Sequence, residues 1–205
     1  MTSTPTGRRL GAILLFAALA SPAMAADTES AVFAGGCFWC MEEAYDKVEG
    51  VVETTSGFSG GEVENPTYEQ VSAGGTGHIE VVKVDYDPER VDYETLLYVF
   101  WRNIDPFAVN RQFCDKGRTY QSAIFPMNDA QRALAEASRQ AVAERFDREI
   151  ATEIIDFETF YPAEGYHQNY YAENRVRYNF YKSACGRVER LEEVWGEEAS
   201  ASSAP

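Results

Sequence analysis

Residues 31–34 form a short apolar run that leads straight into Gly35 and Gly36, and a helical pattern opens directly behind them at Cys37. No other feature restricts the fold of this chain as strongly. A buried strand that ends in two glycines and turns at once into a helix commits the chain to mixed α and β structure. The glycines permit a sharp turn and a close approach of backbones. The helical spacing continues over 38–48 and stops at Gly50. Farther along, 51–58 and 79–86 read as strands. Asn65-Pro66 reads as the N-cap and first-turn proline of a short helix closed by Gly74-Gly75. An amphipathic helix over 93–102 carries Leu96, Leu97, Phe100 and Trp101, and 129–146 is Ala-rich and helical. The pattern predicts strands over 119–125 and 150–157, a helical stretch over 166–171 and a last helix over 188–195. Residues 103–118 show no period, and loops that long in a compact domain usually carry function. Several strands are joined by short links. The reading is therefore an α+β fold, a two-layer α/β sandwich around a mixed sheet in a single domain, rather than a doubly wound parallel sheet.

The first 25 residues stand outside that fold. Arg8 and Arg9 make a basic start, 10–20 is apolar but too short to span a bilayer as an anchor, and Ala23-Met24-Ala25 is a small-x-small site. We read 1–25 as a cleavable signal peptide, 26–196 as the domain and the Ala/Ser-rich 197–205 as a disordered tail. The mature protein is then periplasmic or secreted, without a membrane segment, and is expected to be a monomer. With 33 acidic against 18 basic residues the net charge is −15. Nucleic acid is excluded as a partner, because phosphate binding needs clustered Lys and Arg.

All four cysteines, Cys37, Cys40, Cys114 and Cys185, follow the cleavage site, and two structural bridges would suit an oxidising compartment. The surroundings of Cys37 argue for reactivity instead. At the mouth of a helix it faces free backbone N–H groups and the positive end of the dipole, which should lower its pKa and favour the nucleophilic thiolate. Phe38 and Trp39 would line an apolar pocket, and Cys40 completes a CxxC pair. In the strand 79–86, alternation puts Glu80 on the face of Val82, Val84 and Tyr86. A carboxyl group there is desolvated, stays protonated near neutrality and is a candidate general acid. His78 and His167 lie in no metal-ligand spacing, and there is no phosphate loop or cofactor fingerprint.

These residues carry a family likeness. Gly36-Cys37-Phe38-Trp39 resembles the signature of A-type peptide-methionine sulfoxide reductases. Gly57-Phe58-Ser59-Gly60-Gly61, Asn65-Pro66-Thr67-Tyr68, Thr76-Gly77-His78-Ile79-Glu80, Gln112-Phe113-Cys114-Asp115, Tyr166-His167-Gln168 and Cys185-Gly186-Arg187 follow in the family order, over nearly the whole mature chain. The resemblance implies reduction of methionine S-sulfoxide, free or in proteins, through attack of Cys37 on sulfur. It makes Glu80 the acid, Tyr68 and Tyr120 donors to the sulfoxide oxygen, Asp115 a further polar member, and Phe38 and Trp39 the methyl pocket. It implies no metal or organic cofactor, only an external dithiol such as thioredoxin or a thioredoxin-like protein. A second cysteine must condense with the Cys37 sulfenic acid. Cys185, in a loop able to swing toward Cys37, is the first choice; Cys40 is second, since a disulfide within the first helical turn would be strained. Cys114 adjoins Asp115 and its role is open. The glycine-rich tail with paired cysteines found in some relatives is missing. The competing reading is a CxxC thiol-disulfide oxidoreductase that uses Cys37 and Cys40 alone.

Overall fold

The computed structural model describes residues 1–2 and 28–204; the expected signal peptide lies outside the described residues, apart from its first two. Strand β1 (Glu29–Gly35) runs into helix α1 (Phe38–Tyr45), followed by β2 (Val51–Ser59), α2 (Tyr68–Ala73), β3 (Ile79–Tyr86) and α3 (Tyr93–Arg102). Two short strands, β4 (Arg111–Gln112) and β5 (Asp115–Lys116), precede β6 (Ser122–Phe125), α4 (Asp129–Phe146), β7 (Glu153–Ile154) and β8 (Tyr161–Pro162). The chain ends in α5 (Tyr170–Glu173), α6 (Arg175–Ala184) and α7 (Arg187–Trp195). The main sheet has the order β7-β6-β1-β3-β2-β8 and is antiparallel except for β6–β7. It is thus a mixed sheet in an α+β domain. Among the described residues, no helix is long and apolar enough to cross a membrane.

The sheet separates two apolar clusters, which is why β1 reads as an unbroken hydrophobic run rather than an alternating one. Ala31, Phe33, Phe58, Val82, Val84 and Ile124 face the helices, where Phe33 stacks on Tyr45, Tyr93 and Phe100 at 5.2–5.9 Å. Val32, Ala34, Ile79, Val81, Ala123 and Phe125 face the other way, beneath Ile155, Phe157 and Phe160. An irregular segment therefore covers the second face, and the predicted strand over 150–157 shrinks to the two residues of β7.

Side-chain caps set the helix starts. Thr67, not Asn65, caps α2: it exchanges hydrogen bonds with Gln70 while Asn65 takes a positive φ of 47°. Asp92 and Asn128 cap α3 and α4 by accepting from Thr95 N–H and Gln131 N–H at 2.8 and 2.9 Å. The strand predicted from 119 begins later, because Arg118–Tyr120 is a 3-10 turn. Helix α6 escapes a reading of apolar period, since Tyr178 is its only fully buried side chain.

The tail expected to be disordered from residue 197 instead lies on α3 and α4. Glu198 pairs with Arg102 at 2.6 Å and with Arg145 at 2.9 Å, and Ser200 N–H donates to the Arg102 carbonyl at 2.9 Å. An Ala/Ser-rich composition carries no period, and the segment is seated by several contacts together: Glu198 between two arginines, Ala199 against the core and the Ala201 carbonyl accepting from the Asn103 amide at 3.0 Å.

Candidate active site

The turn between β1 and α1 is built to glycine's dimensions. Gly36 has φ +82°, and a Cβ there would lie 2.5 Å from Cβ of Gln112. A Cβ on Gly35 would lie 2.3 Å from the Met41 sulfur. Gln112 is fully buried and closes the long loop by bonding the Asp105 N–H and carbonyl at 2.9 and 2.8 Å. The loop carrying Asp115 is thereby pressed onto the turn carrying Cys37.

Cys37 is the N-cap of α1. The Phe38 N–H beside it donates to Glu80 Oε2 at 3.0 Å, from a strand 42 residues away. Cys37, Phe38, Trp39, Tyr68, Glu80, Asp115 and Tyr120, all singled out in the sequence, line one cleft of about 60 Å³ together with Tyr181. Trp39 is held in place on two sides. Its face stacks on Tyr170 at 3.8 Å, and its indole N–H donates to His167 Nδ1 at 3.2 Å. His167 is buried behind Phe38, Trp39 and Tyr68, while His78 ties the 61–78 turn by accepting from Gly61 N–H and bonding Val63 O at 2.7 Å.

Electrostatics divide the roles. Glu80 is 1 % exposed, and burial, with Asp115 and Cys40 adding negative charge, pushes its carboxyl up to about 8 against the pull of the Phe38 N–H. At neutral pH it holds a transferable proton. Burial also raises the Tyr68 and Tyr120 hydroxyls, with Glu80 beside both, so both stay protonated donors. Asp115 is likewise raised by burial, against a hydrogen bond from Tyr181 and the nearby charge of Arg187.

The expected lowering of the Cys37 pKa does not hold. Burial, and then the neighbouring Cys40 sulfur and the charge of Glu80, hold it well above the ordinary thiol value. The chief cause is burial, which outweighs the helix terminus, while the Phe38 N–H of the first turn donates to Glu80. Cys40 goes the other way, down to about 6, through the adjacent Cys37 thiol and then the charges of Arg187 and Lys182. Arg187 is buried, donates to the Asn103 carbonyl at 2.6 Å and lies 4.4 Å over the Phe113 ring. The resting site therefore keeps Cys37 as a thiol with an acceptor sulfur beside it.

Cys185, the first choice as resolving residue, is bonded to Cys114, whereas Cys37 and Cys40 are both free. The bridge spans 71 residues with the Cα atoms 4.9 Å apart. Cys185 is not in a loop but ends α6. Among the described residues, one group could hold a metal by ligand spacing, Cys114, Asp115 and Cys185, and its two sulfurs are bonded to each other.

The sequence reading passed over Tyr181 and Tyr178. The signal was a helical face: Tyr178, Tyr181, Lys182 and Cys185 sit at i, i+3, i+4 and i+7 along α6.

A family model described as peptide methionine sulfoxide reductase matches residues 29–199. The peptide methionine sulfoxide reductase MsrA 2 of Caulobacter vibrioides is 47% identical over 92% of this chain and 99% of its own length. The MsrA of Bacillus subtilis is 46% identical over 84% of this chain and 99% of its own. Among solved structures, the methionine sulfoxide reductase A of Corynebacterium diphtheriae has a TM-score of 0.66 and 32% identity, covering 77% of this chain and 78% of that one. Mxr1 of Saccharomyces cerevisiae in reduced form has a TM-score of 0.69 and 31% identity, covering 72% and 86%. Mxr1 has also been solved in complex with Trx2, where it matches at 23% identity over 70% of this chain and 84% of that one with a TM-score of 0.50. The chain belongs to the peptide methionine sulfoxide reductase family.

Proposed function

We propose that this protein reduces methionine S-sulfoxide, free or in oxidised proteins, to methionine by way of a Cys37 sulfenic acid. One observation carries the assignment. A buried, protonated carboxyl, Glu80, lies in the same aromatic cleft as the free thiol of Cys37. A thiol-disulfide oxidoreductase using only Cys37 and Cys40 has no need of such an acid. Phe38 and Trp39 take the methyl group and present sulfur to Cys37. As the new bond to sulfur forms, the Cys37 proton leaves, and Cys40 is the neighbouring acceptor. Glu80 protonates the oxygen while Tyr68 and Tyr120 donate hydrogen bonds to it. The substrate S–O bond and the bond between the two sulfurs then break as the protonated oxygen passes to the Cys37 sulfur, so methionine departs and Cys37 is left as the sulfenic acid.

Cys40 then condenses with Cys37, releasing water. Its place as a free thiol in the same buried cluster as Cys37 favours it over Cys185, which would first have to be released from Cys114. A thioredoxin-like dithiol returns the pair to thiols, a reading supported by the complex of the yeast relative with Trx2. We place the mature protein outside the cytosol. The basic, apolar and small-x-small run over 1–25 supports this, as does a cross-link of the kind that persists in oxidising compartments. Steady-state turnover of the two sulfoxide epimers with dithiothreitol tests the assignment. The S epimer should be reduced and the R epimer left, with no turnover by Cys37→Ser. Equal use of both epimers, or an active Cys37→Ser, would refute it.

A further inference from the structure

Helix α6 lies over the two free cysteines and is held there by few apolar contacts. Cys37 and Cys40 are only 6 % and 4 % exposed, and they share a buried cluster with Tyr170 and Tyr178. The Tyr178 hydroxyl donates to Glu43 at 2.6 Å, and Lys182 pairs with the same carboxylate. The Tyr181 hydroxyl donates to Asp115, and its ring meets Trp39 edge-on at 6.0 Å. At its end, Cys185 is bonded to Cys114, next to Asp115 in the loop pressed onto the Cys37 turn. Cys114 itself is exposed. A disulfide with one exposed cysteine thus fastens a polar-anchored helix over a thiol pair that is almost wholly buried.

We infer that Cys114–Cys185 is a second redox site, a dithiol-sensitive latch that keeps α6 closed over Cys37 and Cys40. The proposal deepens the reading of Cys37 as the attacking residue and rests on it. Opening consumes one dithiol. Its thiolate attacks Cys114, the Cys114–Cys185 bond breaks, and Cys185 leaves as a thiolate that takes a proton. The second thiol of the reductant then displaces Cys114 and closes the reductant's own disulfide, so two electrons have passed to the latch. With the cross-link gone, Tyr181 is held on Asp115 by one hydrogen bond, and α6 opens locally more often. Closed, the latch fixes Tyr181 and Asp115 around the substrate cleft. Open, it exposes the Cys37–Cys40 pair to a bulky thiol reagent or to a protein reductant, which needs a straight approach to sulfur.

The test compares the wild type, its cross-link intact and Cys37 and Cys40 free, with the double variant Cys114→Ser/Cys185→Ser. Alkylation of Cys37 and Cys40 by iodoacetamide and by fluorescein maleimide is followed by peptide mass spectrometry, and amide exchange is read over 175–184. The variant should react with the maleimide at least ~10-fold faster, with a smaller gain for iodoacetamide, and the α6 amides should exchange faster. Unchanged rates with both reagents and unchanged exchange would overturn the latch. If the variant loses its near-UV circular dichroism, the wild type is instead titrated with reduced glutathione. Maleimide reactivity of Cys37 and Cys40 should then track the fraction of open Cys114–Cys185, and a reactivity independent of that fraction would overturn the proposal. Failure of the Cys37 reading itself shows separately, as methionine formation by Cys37→Ser.

Discussion

Replacing Glu80 by Gln should make the protein more stable and much less active, and both effects follow from one buried carboxyl. The Gln amide oxygen can still accept the Phe38 N–H now bonded at 3.0 Å, so the turn is kept. What disappears is the ionisable proton. In the folded protein the carboxyl is raised from its ordinary 4.5 to about 8, with burial as the main cause. An acid raised on folding binds more protons folded than unfolded, so between pH 4.5 and 8 stability falls as pH rises. At about 1.4 kcal/mol per pH unit, the penalty is on the order of 3 kcal/mol at pH 7 and about 5 kcal/mol above pH 8. Glu80→Gln should recover a large part of it, and thermal unfolding should show a gain that grows from pH 5 to pH 8. Activity should move the other way. Loss of a general acid lowers kcat by about 10²–10⁴-fold, and the fall in wild-type kcat as pH rises through about 8 should vanish with it. The assay is methionine formation with dithiothreitol from pH 6 to 9.5, beside melting curves over the same range. A variant within about threefold of wild type in kcat would refute the acid assignment. A low kcat that kept its alkaline limb would assign that limb to another group.

Three further predictions follow from other parts of the site. Cys40→Ser should form one methionine per enzyme and then stall with Cys37 trapped by dimedone, as seen by mass spectrometry without reductant; a disulfide from Cys37 to another cysteine in place of the trapped sulfenic acid would require another resolving group. Gly36→Ala forces a Cβ to 2.5 Å from Gln112 at a φ of +82°, so urea unfolding should show a loss of about 1–3 kcal/mol, and a neutral result would mean the turn relaxes freely. Glu198→Ala removes the partner of Arg102 and Arg145 at the surface, where a loss within about 1 kcal/mol is expected in the same assay and a larger one would give the tail a structural weight not apparent in its contacts.

How far the sequence could be read depended on whether a feature was local. The turn at Gly35-Gly36-Cys37, the strand Ile79–Tyr86 and the helices Tyr93–Arg102 and Asp129–Phe146 announce themselves by period and punctuation, and the structure has them. Alternation put Glu80 on the face of Val82 and Val84, and the family resemblance favoured a buried acid there over a strand-end glutamate turned to water; it is buried and pairs in register with Phe58 across β2. The failures are non-local. Helix α6 buries one residue, so its role as a cover is invisible to any hydrophobic pattern. The Cys114–Cys185 bridge joins positions 71 apart, and no spacing rule selects it from the other pairings. The acidity of Cys37 is not legible from a helix terminus alone, because its burial depends on residues from distant parts of the chain, Tyr170 and Tyr178 among them. The aromatic surroundings became legible only as a set. Phe38 and Trp39 are adjacent in sequence, but the residues that fix them, His167 and Tyr170, come from the far end of the chain.

The central claim is that Cys37 takes the oxygen from sulfur and Cys40 releases it as water. It is tested most directly by peptide mass spectrometry of the fully folded enzyme after a single turnover with methionine S-sulfoxide and no reductant. The account predicts one methionine per enzyme, a new Cys37–Cys40 disulfide and an untouched Cys114–Cys185 bridge. Methionine formed while Cys37 remains a free thiol, or a new linkage from Cys37 to Cys114 or Cys185, would contradict it.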